Sequence, residues 1–328
     1  MRSWFALLAS STTALLGCDE PRVVPTNPTD PQTLIETGLC ADARCERIAQ
    51  DVLAFAPRYS LYSDGAQKRR WIALPDDTQI DTSDMDYWRF PVGTRLWKEF
   101  ERDGVRVETR YLTKLLDDDA APGAWLYTSF AWNAARDETT RAPEAGVRDA
   151  NGTLHDIPSR SECQGCHDNM PTRVLGFGAM SLDGATPLSL AELVATDVLT
   201  QPLGALGDPA FPVPGTEVDR AAFGYLHANC GGCHNPRSRV HLDTPVELRL
   251  TTTIRSLDEV PARKTTVDVP GIVGGLVGPI VAPGDPDSSV MMIRTRSSEV
   301  PTKMPALGTE MVDPIGQDAL SAWILQPP

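Results

Sequence analysis

Two short segments of this chain share one pattern, in which two cysteines separated by two residues are followed directly by a histidine. The first Cys-His motif spans residues 163–167 (CQGCH) and the second spans residues 230–234 (CGGCH). Two intervening residues fit one tight helical turn, so both thiols reach the two vinyl groups on one porphyrin edge, and the adjoining imidazole reaches the iron. The motifs hold four of the seven cysteines and two of the five histidines, which disfavours coincidence. They predict two covalently attached c-type haems.

Disulfide exchange and zinc binding are the alternative uses of paired cysteines, and both stay open on sequence alone. A redox Cys-x-x-Cys pair usually opens a helix in a βαβ unit, which neither segment resembles. Four thiolates can also hold one structural zinc, although zinc leaves the histidine of each motif unexplained. The haem interpretation assigns thioether bonds and iron ligation to six residues: Cys163, Cys166, Cys230 and Cys233 as thioethers, and His167 and His234 as iron ligands.

Length and charge restrict the class of protein. A chain of 328 residues is long enough for two or three domains, each with its own core. Its net charge of −14 disfavours a role in nucleic-acid binding. An acidic exported protein can dock a basic redox partner, and the same charge also serves solubility.

The N-terminus predicts export. A weakly positive start is followed by a short apolar run over residues 4–16, too short for a transmembrane span and typical of a signal peptide. Residues 15–18 (LLGC) resemble a bacterial lipobox, so we expect a signal peptide over 1–18, lipid on Cys18 and a proline-rich tether over 19–38. An ordinary cleaved signal is the alternative. The lipid would be the membrane anchor of an extracytoplasmic protein, and there Cys40 and Cys45 can form a local disulfide.

Residues 39–150 predict a β-rich domain. Apolar spacing favours a helix over residues 39–54, and alternating or β-forming runs follow, separated by Gly, Pro and Asp clusters. We expect an antiparallel sheet packed as a sandwich or partial barrel. A period of two places Arg106, Glu108 and Arg110 on one face of a strand, where cross-strand ion pairs are the default explanation.

Residues 151–215 form the expected first haem-binding segment, in which Ser161 can cap a short helix carrying the first Cys-His motif and a second helix covers residues 188–199. Residues 216–328 form the expected second unit. An amphipathic helix over 217–229 runs directly into Cys230, and a last helix covers 315–325. Residues 271–284 are glycine-rich but lack the Lys-Ser/Thr ending of a phosphate loop, which favours a surface loop. The fold class is therefore multidomain α+β.

The distal ligand of each iron decides the function. Met304 precedes Pro305 in a polar loop just before the last helix, so we expect its thioether opposite His234, with a core methionine as the alternative. For the first haem, Met170 lies too close to His167 and Met180 can barely reach. An empty site, or one of several other side chains, stays open: His155, His227, His241, Met291 and Met292.

Most of the chain after the tether resembles a family of exported bacterial proteins that join a β-rich domain to c-type haem motifs, and the C-terminal part resembles class I cytochrome c. The residues that carry the resemblance are 59–66 (YSLYSDGA), 70–75 (RWIALP), 90–94 (FPVGT), 108–110 (ETR), 158–167 (PSRSECQGCH), 225–230 (YLHANC), 282–286 (APGDP) and 304–305 (MP).

The resemblance implies electron transfer with a redox partner protein and implies no substrate. Two other functions stay open. One is a peroxidase-like or small-molecule oxidoreductase that uses an open first haem, and the other is a surface lipoprotein whose β domain binds a partner. The sequence does not indicate an oligomeric state.

Overall fold

A six-stranded antiparallel sheet is the main element of the first half of the chain in a computed structural model of the protein. The structure describes residues 29–42, 44–201, 209–273 and 275–327, so the predicted signal peptide and Cys18 lie outside the described residues. Each strand pairs with the next one along the chain. The strands are β1 (Leu53–Phe55), β2 (Gln67–Ala73), β3 (Arg95–Arg102), β4 (Val105–Lys114), β5 (Trp125–Trp132) and β6 (Thr139–Arg141).

The hairpin between β3 and β4 shows why the chain reverses where it does. Only Asp103 and Gly104 separate the two strands, and both have positive φ, 51° and 74°. Two-residue hairpins need positive φ at these positions because that turn matches the right-handed strand twist, and Asp-Gly is a favoured pair for it. The turn sets the register of the two central strands.

Among the described residues, no second large sheet packs against the main sheet, so the expected sandwich is wrong. Other segments of the chain cover its two faces. On one face the N-terminal segment packs Leu34 and Leu39 against Trp71, Trp97 and Phe130. The other face packs against three short helices that follow the sheet: α1 (Arg160–His167), α2 (Ala179–Leu182) and α3 (Leu190–Ala195). The strands carry large apolar side chains on both faces, which these layers bury.

The predicted helix over residues 39–54 is also wrong. The structure joins Cys40 and Cys45 in a disulfide, and Cys40 pairs with Ile48 through an isolated antiparallel bridge. The Asp42 carboxylate sits inside this loop and accepts hydrogen bonds from backbone N–H groups that a helix would use otherwise: those of Arg44, Glu46 and Arg47. Side-chain acceptors of this kind compete with helix formation.

A register shift separates Arg106 from Glu108 and Arg110, so the expectation that all three share one face is wrong. Phe100 pairs with Glu108 and Glu101 pairs with Arg106, which leaves an extra residue on β4. The resulting bulge turns Arg106 to the opposite face, where it binds the buried Glu99 at 2.6 Å. Glu108 and Arg110 stay together on the first face.

The second half of the chain is mainly helical. The predicted helix over residues 217–229 is confirmed as α4 (Glu217–Asn229), and the last helix is α8 (Pro314–Ile324). These two helices cross where Gly316 meets Tyr225: a Cβ on Gly316 would lie 2.1 Å from the Tyr225 ring, so only glycine fits. Between them lie α5 (Val240–Asp243), α6 (Pro261–Thr266) and α7 (Val290–Arg296).

The glycine-rich stretch after α6 contains a hairpin, which corrects the expectation of a surface loop. Its strands are β7 (Pro270–Val273) and β8 (Leu276–Pro279). The mixed α+β fold class is confirmed by one large sheet and eight helices in the described part of the chain. Within those same ranges, none of the helices has the length and apolar character needed to cross a bilayer.

Candidate functional site

Both Cys-His motifs line one cavity of about 940 Å³. Its walls are one face of the main sheet, α1, the end of α4, α7 and the loop over residues 300–310. Pockets for small molecules and cofactors usually measure about 300–1,000 Å³, so this cavity is at the upper end of that range. The cavity therefore brings together two segments that are far apart in the sequence.

A capping box fixes the start of α1 and so the direction of the first motif. The Ser159 hydroxyl accepts the Glu162 N–H at 3.2 Å, and the Glu162 carboxylate accepts the Ser159 N–H at 2.8 Å. Ser159, and not Ser161, is thus the cap. On the helix that follows, Cys163, Cys166 and His167 stand three and four positions apart, which places them on one face. All three line the cavity.

The imidazole of His167 is held in the orientation that an iron ligand needs. Its Nδ1 lies 2.5 Å from the Arg173 carbonyl oxygen and donates to it, which leaves the Nε2 lone pair free for a metal. Burial lowers the pKa of His167 to about 4; the Arg173 carbonyl opposes this shift, and the charges of Lys98 and Arg110 add to it. The ring is therefore neutral, the form that binds metals.

The second motif begins where α4 ends. Cys230 caps the helix, and the Gly231 N–H donates to the Leu226 carbonyl. A Cβ on Gly231 would lie 2.7 Å from the His227 carbonyl oxygen, so the tight turn into the motif requires glycine. The turn continues with a hydrogen bond of 2.9 Å from the His234 N–H to the Cys230 carbonyl, and it directs the motif into the cavity.

The His234 ring has a buried Nδ1 without a hydrogen bond of normal geometry, next to the backbone of Val246. Burial lowers the pKa of His234, the charge of Arg294 lowers it further, and the Val246 backbone opposes the shift. A buried polar atom without a partner is uncommon in folded proteins and calls for an explanation. Ligation through Nε2 would fix the ring so that Nδ1 can donate to the neighbouring backbone.

The four motif cysteines are free thiols held in the protonated form. Burial is the first cause in each case, raising the pKa of Cys163 to about 11 and that of Cys230 to about 12. Burial also raises the pKa values of Cys166 and Cys233. Redox-active Cys-x-x-Cys pairs need a lowered thiol pKa, so this environment argues against disulfide exchange. Within residues 29–42, 44–201, 209–273 and 275–327, no three His, Cys, Asp or Glu side chains gather as metal ligands.

The two motifs contact each other through two asparagines. Asn169 follows the first motif, and its Nδ2 lies 3.8 Å from the Cys233 sulfur. Asn235 follows the second motif, is fully buried, and reaches back to the Asn169 carbonyl oxygen at 3.4 Å and to the Met170 sulfur at 3.8 Å. The thiols of Cys166 and Cys233 are close enough that a charge on Cys233 raises the pKa of Cys166.

The structure places the methionine candidates differently. Met304 is half-buried and lines the cavity that also contains His234, held by a 3.0 Å hydrogen bond from its N–H to the Arg294 carbonyl. Met180 lies in α2, is 5% exposed and belongs to the apolar core around α4 and α8. It is not brought to the cavity wall beside His167.

Three other distal candidates reach the cavity wall: His155, His227 and Met291. His155 bonds to the buried Glu108 at 2.9 Å. His227 accepts the Leu250 N–H on Nδ1 at 3.0 Å, so its proton sits on Nε2 and neither nitrogen is free for a metal. Met292 is fully buried in the core, and His241 lies on α5 near Glu247.

Sequence reasoning missed a row of basic side chains on the sheet face of the cavity. Arg70 on β2 pairs with Lys98 on β3, and Lys98 pairs with Arg110 on β4. Each of them lines the cavity. Only the register of three strands brings these residues side by side, and no spacing within one strand reveals it.

No family model, curated protein or solved structure matches this chain. The fit of the residues to haem therefore rests on the site itself. Each motif places two protonated thiols and one neutral imidazole at the same cavity, and the cavity has room for a large planar group. A pair of thiols that can add to two vinyl groups, followed by an imidazole that can ligate the iron, fits covalent haem.

Proposed function

We propose that this protein is an extracytoplasmic dihaem c-type cytochrome that carries electrons between redox partners. The observation that supports this most is the single cavity lined by both Cys-His motifs, which contact each other at Asn169 and Cys233. Haem supplies reversible one-electron exchange between ferrous and ferric iron. Two haems whose attachment segments touch are placed for electron passage from one to the other.

The protein's own residues bind and orient the cofactors. Cys163, Cys166, Cys230 and Cys233 form the thioethers, and His167 and His234 ligate the irons. The Arg173 carbonyl fixes the tautomer of His167 through Nδ1.

The C-terminal unit supports a class I cytochrome c-like arrangement in this proposal. Its opening helix α4 leads into the second motif and packs against the closing helix α8, with the Phe223 and Trp323 rings 5.4 Å apart. Met304, in the loop before α8, lines the same cavity as His234 and would supply a thioether to the second haem. A thioether opposite imidazole raises the potential and fills the coordination site, which suits an electron carrier.

The proposal includes export and anchoring by lipid on Cys18, which places the protein outside the cytoplasm, where c-type haem is attached. A Cys18→Ser variant should lose lipid labelling and leave the detergent phase. Detergent partitioning that stays unchanged would indicate an ordinary signal peptide. The acidic surface, with a net charge of −14, suits a basic redox partner.

One observation favours a second function, a haem-dependent oxidoreductase. Met180 is packed into the apolar core, so the structure does not bring that candidate to His167 as a distal ligand. An open iron site at the first motif would bind small molecules, and the cavity beside it would admit a substrate.

A redox titration with ligand additions tests the two functions. The electron-carrier proposal predicts two one-electron waves and a reduced spectrum that carbon monoxide and cyanide leave unchanged. A spectral change in half of the haem on addition of carbon monoxide would support the oxidoreductase. Absence of any haem absorption in protein produced with haem-attachment machinery would contradict both.

A further inference from the structure

Three basic side chains stand side by side on the sheet wall of the cavity. Arg70 on β2, Lys98 on β3 and Arg110 on β4 are direct cross-strand partners, and Ser129 on β5 continues the row. Directly opposed residues on paired strands have Cβ atoms about 4.5–5.5 Å apart, and like charges at that distance are destabilising. An arrangement of this kind needs anions nearby.

The protein supplies only part of the required negative charge. Glu108 accepts both arms of the Arg110 guanidinium, at 2.9 and 3.0 Å, so Arg110 is paired. No salt bridge reaches Arg70 or Lys98 from any described residue. Burial lowers the pKa of Lys98 well below its usual value, and the charges of Arg70, Arg110 and Lys68 lower it further, with Glu108 opposing. Arg70 and Lys98 thus face the cavity without an ion-pair partner, and an anion there would favour the charged form of Lys98.

The members of the row lie at different distances from the first motif. Arg110 is close to both thiols, since its charge lowers the pKa values of Cys163 and Cys166, whereas Lys98 acts on Cys166 alone and with a smaller effect. Arg70 stands two strands further across the sheet, a distance of roughly 10 Å at the usual strand spacing. The two propionates of a haem project from the porphyrin edge away from its vinyl groups. A porphyrin attached at Cys163 and Cys166 that extends along this wall carries its carboxylates toward Arg70 and Lys98.

We propose that Arg70 and Lys98 form the binding subsite for the propionate carboxylates of the haem attached at the first motif. This inference rests on the proposed function, because it requires haem there. The guanidinium fork of Arg70 matches a carboxylate geometrically, and the Lys98 ammonium adds a point charge. Both residues act as positioning residues: they orient the porphyrin and keep its carboxylates ionised.

Removal of either cation has two measurable consequences. A positive charge beside the haem favours the ferrous state, so its loss lowers the midpoint potential. The carboxylate left without its cation also acquires a higher pKa. Reduction then becomes coupled to proton uptake, and the potential depends on pH between about pH 5 and 8. If these side chains had a purely structural role, their replacement would change stability without making the potential depend on pH.

The experiment compares Arg70→Gln and Lys98→Gln with a neighbour that faces the other way. Arg69 precedes Arg70 on β2, bonds to Glu99 on the opposite face and has a side chain 60% exposed, so Arg69→Gln is the matched control. Midpoint potentials of both haems are measured from pH 5 to 9, with haem content measured by pyridine haemochrome. The wave that shifts in Met304→Ala belongs to the second haem, which identifies the first.

We expect two haems per chain in all variants, with a lower and newly pH-dependent first potential in Arg70→Gln and Lys98→Gln only. Lys98→Arg should restore the pH-independent potential. Arg70→Lys keeps the charge but not the fork, and it replaces Arg70→Gln in the test if Arg70→Gln accumulates without haem.

Unchanged pH profiles in the cation variants would overturn the inference while leaving two haems and the proposed function in place. A saturable shift with phosphate in the wild type, absent from Arg70→Gln, would instead assign the subsite to a free anion. Wild-type protein without haem would defeat the proposed function itself.

Discussion

The side-chain amide of Asn169 lies 3.8 Å from the sulfur of Cys233, so the segment that follows the first motif touches the second. A charge on Cys233 raises the pKa of Cys166, which indicates that one thiol of each motif lies close to the other. If each pair of thiols carries one porphyrin, the two cofactors approach one another at their attachment edges. The redox state of one haem should then influence the potential of the other.

The first prediction concerns Asn235, which joins the two motifs. Its buried amide donates to the Gly232 carbonyl at 2.9 Å and to the Gly231 carbonyl at 3.1 Å. Asn235→Ala should lower the free energy of unfolding by about 1–3 kcal/mol, because buried carbonyls lose their donor. Asn235→Asp should cost more, since a buried carboxylate would face these oxygens. Denaturant unfolding checks both, and a wild-type midpoint in Asn235→Asp would contradict the role of this amide.

The second prediction concerns Met304. If Met304 is the proposed ligand, Met304→Ala removes a soft donor that favours ferrous iron. The potential of the second haem should then fall, and that haem should begin to bind carbon monoxide. Met311→Ala, seven positions later on the same loop and 43% exposed, is the control and should change neither property.

Met180 offers a contrasting variant for the same measurement. Because Met180 is buried in the apolar core, Met180→Ala should lower the free energy of unfolding by about 2–5 kcal/mol and leave the haem spectrum unchanged. A folded Met304→Ala protein with wild-type spectrum and potential would defeat the ligand assignment. A spectral change in Met180→Ala at the first haem would reinstate Met180 as its ligand.

The third prediction concerns Glu108, the carboxylate that pairs with Arg110. Burial opposes its ionisation, but Arg110 and His155 outweigh burial and lower the pKa of Glu108 to about 2. Glu108→Gln should therefore cost about 2–4 kcal/mol of unfolding free energy, because it leaves the partly buried Arg110 guanidinium without its charged partner. Glu138→Gln, at an exposed position, is the control. Equal stability of the two variants would show that the buried pair contributes nothing.

The fourth prediction concerns the acid stability of the protein. Burial lowers the pKa of His227 to about 3, and the charge of Arg249 adds to the shift. Below about pH 6.5 the unfolded chain protonates this histidine, whereas the folded chain does so only near pH 3. The folded state therefore loses stability as the pH falls from about 6.5 to 3. Glu108 gives up its stabilisation only below its ordinary pKa of 4.5. From pH 6.5 to 4.5 the loss of stability therefore comes from buried histidines: His227, together with His167 and His234, whose pKa values burial also lowers.

His227→Asn removes this titration and provides the check. The variant should be less stable than the wild type at pH 7, because the hydrogen bond from the Leu250 N–H is disturbed. Its unfolding free energy should nevertheless depend less on pH between 6.5 and 4.5. A wild-type slope in the variant would show that another group controls acid unfolding.

Local patterns in the sequence identified the elements that carry the motifs. The helix at Glu217–Asn229 was predicted because its apolar residues follow one helical face, and the structure adds a capping box at Thr216. The helix expected over residues 39–54 failed because a disulfide loop and Asp42 take its backbone donors. Arg106 changed face because of a bulge, and a bulge leaves no mark in a period of two.

The basic row shows the limit of sequence reasoning for the site. The residue types in each strand are visible, but Arg70, Lys98 and Arg110 become neighbours only through the strand register. The contact between Asn169 and Cys233 likewise depends on how α1 and the end of α4 meet across the cavity. Motif spacing predicts which groups bind a cofactor, and packing decides what surrounds it.

The mass of the intact chain, measured together with its iron content, tests the central claim most directly. Protein produced with haem-attachment machinery should carry two covalent haems and two irons per chain. The Cys163→Ala/Cys166→Ala and Cys230→Ala/Cys233→Ala double variants should each carry one. A wild-type chain without added haem mass, or one that contains zinc in place of iron, would contradict the account.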